Sequence, residues 1–220
     1  MIAAELINRN LPVIHSKDKC SKVLDLMDEF KVNHLPVVDG NTYLGLISET
    51  FIQSLDDDTD KVEEHLESLV KPFVFEDQHL FDALKLIDAF KLNIVVVLDK
   101  NEKYLGAFET SSIVHAITNL NAVNQSGGIL VLEMNPRDYS MTQLSQIIEG
   151  NDARILASYV TPQEGSSNIE VTLKINREDL SSIIQTLHRF NYIVKSMFHQ
   201  SEYDEDMRRR FEVFMNYINM

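Results

Sequence analysis

Hydrophobic positions in the first half of this chain alternate between two spacings, and the alternation is repeated. Val23, Met27 and Phe30, with Leu24 and Leu26 beside them, fall at helical intervals and predict a helix over residues 23–30. Leu35-Pro36-Val37-Val38 predicts a short buried strand, Asp39-Gly40-Asn41 a turn, residues 43–47 the returning strand, and residues 49–55 a second helix. The apolar Pro12-Val13-Ile14 precedes them as a strand. Sixty residues on, the order returns: Pro72-Phe73-Val74, a helix over 81–90, a strand over 94–98, the turn Asp99-Lys100-Asn101-Glu102, a strand over 104–108 and a helix over 111–119. This predicts two β-α-β-β-α units, at about 1–58 and 61–120. A duplication of this size marks units that bury their apolar faces against each other. Between them lie an acidic loop, Asp56-Asp57-Asp58-Thr59-Asp60, and a predicted helix over 62–69.

A polar stretch ending in Ser126-Gly127-Gly128 predicts a linker over 121–127. The pattern then changes. A strand over 129–134 leads through Asn135-Pro136-Arg137-Asp138 to an amphipathic helix carrying Met141, Leu144, Ile147 and Ile148, ended near Gly150. Strands over 154–160 and 168–175 flank a polar hairpin at 161–167. Leu180, Ile183, Ile184 and Leu187 mark a second helix, capped by Asn176 or Asp179. A strand over 192–198 closes the set. The order βαββαβ over 128–199 is that of a ferredoxin-like sheet with two helices on one face. In the tail, 200–220, Met207, Phe211, Phe214, Met215 and Ile218 share one helical face, which must dock on this chain or on a partner. The predicted class is α+β, with α/β-type repeats.

Composition narrows the function classes. The 220 residues are 44% hydrophobic, which suffices for a sizeable core, and the net charge of −14 argues against nucleic acid and anionic membranes as partners. Cys20 is the single cysteine, so an intrachain disulfide is excluded and a reducing cytoplasm is the expected setting. The first residues lack the charged and apolar regions of a signal peptide, and the apolar run 94–98 is too short to span a bilayer.

The duplicated pattern resembles the CBS domain, the regulatory motif of cystathionine β-synthase. The resemblance rests on the apolar strand before an amphipathic helix, on Leu35-Pro36-Val37-Val38-Asp39 echoed by Val95-Val96-Val97-Leu98-Asp99, and on the hairpins with Tyr43-Leu44-Gly45 and Tyr104-Leu105-Gly106. It implies a tandem module that dimerises and has two clefts for adenosine nucleotides or related ligands such as S-adenosylmethionine. The positions it implies for ligand contact are Ile14, His15, Leu35, Pro36, Ser48 and Phe51 in the first copy, and Phe75, Val95, Val96, Glu109 and Ser112 in the second.

Nucleotide-binding copies carry Gly-x-x-Thr/Ser-x-x-Asp after the hairpin, with the hydroxyl on phosphate and the carboxylate on ribose. Here Gly45-Leu46-Ile47-Ser48-Glu49-Thr50-Phe51 keeps the hydroxyl but puts Phe51 at the Asp position. Gly106-Ala107-Phe108-Glu109-Thr110-Ser111-Ser112 puts Glu109 at the hydroxyl position and Ser112 at the Asp position. Phe51 cannot accept from a ribose, and Glu109 repels phosphate. A lost hydroxyl contact costs about 1–3 kcal/mol, roughly tenfold or more in affinity. Two readings stay open: an adenosine-type effector, or clefts that are structural or take an uncharged molecule.

Residues 128–199 resemble an ACT-type domain, another small regulatory fold that often binds amino acids. The family's Asp-Arg-Pro-Gly turn is here replaced by Pro136-Arg137-Asp138-Tyr139 or a neighbouring register, which puts Asp138, Tyr139 and Ser140 at the ligand turn. The combination is similar to the acetoin-utilisation type of CBS protein.

Other chemistry has little support. The seven histidines form no ligand-spaced pair, and the Asp56 to Asp60 loop lacks calcium-loop spacing, so no metal is expected. Gly127-Gly128 precedes a strand, which predicts a hinge rather than a phosphate loop. Arg208-Arg209-Arg210 follows several acidic residues and predicts helix-surface ion pairs. The expectation is a cytoplasmic, non-catalytic regulator. It would be a homodimer responsive to a small effector and coupled to a partner enzyme or transporter. The alternative is a structural or interaction protein with degenerate clefts. Catalysis through Cys20 or His15 ranks third.

Overall fold

The computed structural model describes residues 1–118 and 121–198. The chain divides into two units, Met1–Ile117 and Thr118–Met220. In the first, α1 (Cys20–Phe30) begins a turn earlier than the apolar spacing predicts. The reason is Cys20: it is fully buried and extends the stripe of Val23 and Met27 backwards by one helical step. Lys31 then takes the left-handed conformation, φ +55°, and Val32 N–H reaches back to Met27 O at 3.0 Å, burying Val32 under the helix end.

The hairpin of β1 (His34–Asp39) and β2 (Thr42–Ser48) leads into the short α2 (Glu49–Gln53). The second copy supplies β3 (Val74–Phe75), α3 (Leu80–Phe90), β4 (Ile94–Leu98), β5 (Tyr104–Glu109) and α4 (Thr110–Thr118). Its α3 ends on Lys91 at φ +52°, as α1 ends on Lys31. The strand expected at Pro12-Val13-Ile14 shrinks to one parallel bridge, Ile14 to Val37. Pro12 has no N–H to donate, and the pairing is carried by Ile14 N–H to Pro36 O (2.9 Å) and Val38 N–H to Ile14 O (2.8 Å). Residues 62–69, expected as an α-helix, form a 3₁₀ helix at Val62–Ser68. That segment buries little beyond Val62, and Glu63, Glu64, His65 and Glu67 leave it without the apolar stripe an α-helix needs.

The leader segments of the two copies are exchanged. Residues 60–70 pair with the first copy: Val62 N–H donates to Asp18 O (3.0 Å), Cys20 N–H to Asp60 O (2.9 Å) and Leu46 N–H to Val70 O (2.7 Å). Residues 1–8 make the matching set with the second: Ala3 N–H to Gln78 O (2.9 Å), Leu80 N–H to Met1 O (3.3 Å) and Asn8 N–H to Ala107 O (2.9 Å). Each copy is thus completed by chain that precedes the other, and the boundary expected near residue 58 does not separate two closed units.

Gly45 and Gly106 explain the shared Tyr-Leu-Gly motif. Both sit opposite a register shift in their hairpins, at Val37/Val38 and Val97/Leu98, with φ of +153° and +155°. There the leaders press on the backbone: a Cβ on Gly45 would lie 2.6 Å from Leu69 Cβ, and one on Gly106 2.5 Å from Ile7 Cγ2. One hydrophobic cluster runs across both copies and includes Leu35, Val37, Ile94 and Val96. A second, with Ala83, Val95, Val97 and Phe108, lies under the leader residue Ala3.

In the second unit α5 (Asn121–Asn124) occupies part of the expected linker. Strands β6 (Gly128–Met134), β7 (Ile155–Pro162), β8 (Ile169–Ile175) and β9 (Ile193–Phe198) form one antiparallel sheet in the order β7-β8-β6-β9. The helices α6 (Met141–Glu149) and α7 (Ser181–Arg189) pack Leu144, Ile147, Ile148, Ile183 and Leu187 against Leu130, Leu132, Leu173 and Ile175.

The expected hinge at Gly127-Gly128 is instead fixed to the sheet. Gly128 N–H donates to Arg177 O at 2.7 Å, and a Cβ on Gly127 would stand 1.9 Å from Ile175 O. Asn176 is not a helix cap; its Oδ1 accepts from Arg154 N–H at 2.6 Å, while Asp179 accepts from Ser181 N–H at 3.0 Å. Asn119 and the predicted tail helix, with Met207, Phe211, Phe214, Met215 and Ile218, lie outside the described residues. Among the described residues no helix is long and apolar enough to cross a membrane.

Candidate functional site

The two copies meet at a polar seam that the exchange of leaders leaves between their hairpins. Asn33 and Asn93 hold equivalent places, just before β1 and β4. Asn33 O accepts from Glu49 N–H (2.9 Å), and Asn93 O accepts from Thr110 N–H (3.0 Å), so each asparagine anchors the start of the helix after its own hairpin. Their side chains then join across the seam: Asn93 Nδ2 donates to Asn33 Oδ1 (3.2 Å), and Asn33 Nδ2 donates to Glu49 Oε2 (3.1 Å). With its amide nitrogen so committed, Asn93 Oδ1 accepts from His34 Nδ1 at 3.0 Å, which places the imidazole proton on Nδ1. The asparagines stand in both copies of the sequence at the same offset, a recurrence that marks them as equivalent but does not show that they meet.

The expected ligand positions fall around this seam in different ways. Ser48 and Glu109 close their hairpins on either side of it, in register with His34 and Ile94. Ser48 Oγ caps α2 by accepting from Phe51 N–H at 3.2 Å, and it also shares a hydrogen bond with Thr50 Oγ1 at 3.2 Å. Phe51 packs against the shared cluster and sets its ring edge-on to His65, with centroids 5.7 Å apart. Glu109 accepts from Ser111 Oγ at 3.2 Å, and Ser112 is half-buried in the first turn of α4.

Leu35, Pro36 and Val96 are buried, and Ile14 is buried beside Pro36. Val95 lies in the other cluster, because successive residues of a strand face opposite ways. Phe75 is in register with Leu98, four residues along β4 from the Glu109 end, about 13 Å away, so it is not brought together with Glu109. Its ring meets Phe73 edge-on at 5.2 Å.

His15 is exposed. Its backbone N–H donates to Asp18 (2.9 Å) and its Nδ1 to Val38 O (3.0 Å), with Asp39 Oδ1 at 3.8 Å. The hydroxyl and N–H of Ser16 hold the Asp39 carboxyl below its ordinary range, with His15 and Lys17 adding to it. At Asp18 burial raises the carboxyl, and Lys22 together with the His15 N–H outweighs it, so the net shift is downward. Beside the seam, a groove of about 530 Å³ between α1 and α2 joins Asn33 and Glu49 to Asp25, Asp28, Lys31 and Gln53 over a floor of Met27 and Val32.

In the second unit Asp138 and Ser140 line a cavity of about 570 Å³ with Glu133, Arg137, Gln143, Asn168 and Tyr192. Tyr139 turns into the core instead. Ser140 caps α6 through Gln143 N–H at 3.4 Å. Tyr192 Oη donates to Gln143 Oε1 (2.8 Å), and burial, then the Asp138 charge, pushes the phenol up. Among the described residues no cluster of three or more His, Cys, Asp or Glu has the geometry to hold a metal ion.

Comparison with known proteins gives structural likenesses and one family match. No curated protein matches the chain. Among solved structures, a CBS domain pair/ACT domain protein from Thermotoga maritima is 20% identical. That match covers 53% of this chain and 96% of that one, at a TM-score of 0.48. CBSX2 in complex with AMP is 24% identical over 53% of this chain and 95% of its own, at 0.46. The CBS domain of a bacterial CNNM/CorC family Mg2+ transporter in complex with ATP is 16% identical over 54% and 87%, at 0.44. A family model matches one stretch of the chain: residues 3–50 match the CBS domain.

Proposed function

We propose that this protein is a non-catalytic, ligand-sensing regulator. Its paired repeats take up a small effector of the adenine-nucleotide or S-adenosylmethionine class and relay binding through rearrangement of a homodimer to a partner enzyme or transporter. The observation that carries the reading is the CBS match over residues 3–50, joined to a second copy of the same elements sixty residues on. In this reading residues 1–120 form the tandem CBS module and 121–127 join it to the second domain. Residues 128–199 form that domain, ferredoxin-like and ACT-type, an assignment supported by the strand order β7-β8-β6-β9 with two helices on one face. Ile14, His15, Leu35, Pro36, Ser48, Phe51, Phe75, Val95, Val96, Glu109 and Ser112 are the proposed effector positions, with Asp138, Tyr139 and Ser140 at the second domain's turn. Binding shifts the equilibrium between arrangements only as far as affinity differs between them. The setting is cytoplasmic, with neither nucleic acid nor membrane as partner.

Titration calorimetry and thermal shift on the full chain with ATP, ADP, AMP, S-adenosylmethionine and amino acids test this. A ligand at a hundred times its Kd adds about 2.7 kcal/mol of stability, which a melting curve resolves. No heat and no shift with any nucleotide removes the adenosine version.

A second reading, a structural or interaction protein, is favoured by the state of the Ser48 and Phe51 side chains. Ser48 is engaged with Phe51 N–H and Thr50, and the Phe51 ring with His65. It expects silence from every ligand together with a stable oligomer in light scattering.

A further inference from the structure

The two copies of the repeat present unlike helix faces. Helices α3 and α4 pack their inner sides, Leu80, Ala83 and Ile113, on the same hydrophobic cluster. Their flanks carry Phe81 and Leu84 on α3 and Val114 and Ile117 on α4, each pair three residues apart and so on one side of its helix. Phe81 is 64% and Val114 62% exposed, and Leu84 and Ile117 are 36% and 37% exposed. The first copy shows that such flanks belong together: Leu24 of α1 and Gln53 of α2, at the positions of Leu84 and Val114, line one groove. There the face is more polar. Ser21 stands where Phe81 stands, and Gln53 where Val114 stands. Helix α2 stops at Gln53, whereas α4 runs on to Thr118 and adds Ile117. The four side chains of the second copy leave on the order of 400 Å² of apolar surface uncovered, a size that marks an interaction site on a soluble protein.

We propose that two copies of the chain meet at this face, α3 and α4 of one against α3 and α4 of the other about a two-fold axis, and that α1 and α2 stay outside the contact. The homodimer of the functional reading, on which this rests, thereby gains a contact surface. Area and charge select a second copy as the occupant. A standard interface buries about 800 Å² per partner, about 60% of it apolar, and the patch supplies most of that apolar share. The chain carries a net charge of −14, so two copies repel unless they meet where that charge is absent. On α3 and its cap, Asp82 and Asp88 are balanced by Lys85 and Lys91, with which they pair at 3.1 and 2.7 Å. Helix α4 has no Asp, Glu, Lys or Arg. The matching segments of the first copy, 20–31 and 49–53, hold four acids against two lysines. A two-fold axis lets the lysines of this neutral rim face the aspartates of the partner, and a self-complementary patch closes at two chains.

The test gives the face what the first copy carries, Phe81→Ser with Val114→Gln in the full chain, and follows mass by sedimentation equilibrium. The unsubstituted chain is expected at twice its 25.2 kDa. The double variant's dissociation constant is expected to rise at least about thirtyfold, because a two-fold interface counts each substitution twice. Val114→Gln alone should give part of that rise. Both side chains are exposed, so the circular-dichroism melt of the dissociated variant should remain cooperative, which separates a lost contact from a lost fold. Ser21→Asp, at the matching place in the first copy, should leave the constant unchanged. A monomeric unsubstituted chain overturns the proposal together with the homodimer. A dimer that survives the double substitution overturns the proposal alone and leaves the homodimer to another surface. Equal weakening by Ser21→Asp also overturns it, since the first copy would then share the contact. Effector binding is read separately by calorimetry.

Discussion

Adding one methyl group at Gly45 and at Gly106 tests the exchange of leaders, because the two sites differ in one respect. Both glycines hold φ near +155°, a region closed to other residues at a cost of about 1–3 kcal/mol. Displacing a packed neighbour adds roughly 1–3 kcal/mol. Each substitution to alanine is therefore expected to remove about 2–5 kcal/mol, a large part of an ordinary stability of about 5–15 kcal/mol. The obstacles are unlike. At Gly45 the new Cβ meets Leu69 Cβ at 2.6 Å and Val70 O at 3.1 Å, atoms fixed to the leader's backbone. At Gly106 it meets the Ile7 Cγ2 methyl at 2.5 Å, and Ile7 Cβ only at 3.6 Å.

Truncating Ile7 to alanine removes the clash with Gly106→Ala, whereas Leu69→Ala keeps its Cβ and leaves the clash with Gly45→Ala. Urea unfolding followed by far-ultraviolet circular dichroism measures the two double-mutant cycles. A favourable coupling is expected for the pair at 106 and 7, and none for the pair at 45 and 69. Couplings of equal size, or losses below about 0.5 kcal/mol in both glycine variants, would refute the account, since changes that small are typical of unconstrained surface sites.

The polar seam is expected to behave as one unit: Asn93→Ala should cost about 0.5–1.5 kcal/mol, chiefly through the lost bond to part-buried His34, since Asn33 is exposed, and strict additivity of Asn93→Ala with Asn33→Ala in denaturant would argue against it. Burial pushes the Tyr104 phenol up to about 12 from an ordinary 10.0, so the stability it lends is whole below pH 10 and lost as pH rises towards 12. Tyr104→Phe should lessen that alkaline loss, and an unaltered unfolding profile between pH 10 and 12 would contradict the buried phenol. Gly127→Ala forces a methyl against Ile175 O, where only backbone can yield, and should abolish or sharply lower the melting transition of the second unit; an unchanged calorimetric trace would show Gly127-Gly128 to be the hinge that its sequence suggests.

Periodicity carries much of the element order, and the places where it falls short share a cause. Apolar spacing starts α1 too late when Cys20 is weighed for its chemistry, because in the fold it acts as a small hydrophobe. The 3₁₀ turn at Val62–Ser68 and the single bridge at Ile14 depend on hydrogen bonds to chain more than twenty residues away, which no local pattern carries. Adjacency groups Val95 with Val96, although alternation along β4 sends them into different clusters. The seam escapes for the opposite reason. Asn33 and Asn93 look like ordinary polar residues before a strand, and only the contact between residues sixty positions apart gives them a joint role.

The exchanged leaders also set an order of events during synthesis. Residue 3 finds its partner at residue 78, and residue 8 finds its partner at residue 107. At about 5–20 residues per second, segment 1–8 waits roughly 5–20 s for a place to bind. Until then Ala3 and Ile7 are exposed apolar residues on a growing chain, and Gly106 has nothing packed on it. The first copy meets no such delay once residue 70 is made. The duplicated module is thus built asymmetrically in time although its two leader pairings match in space, and segment 1–8 is the one left longest without its partner.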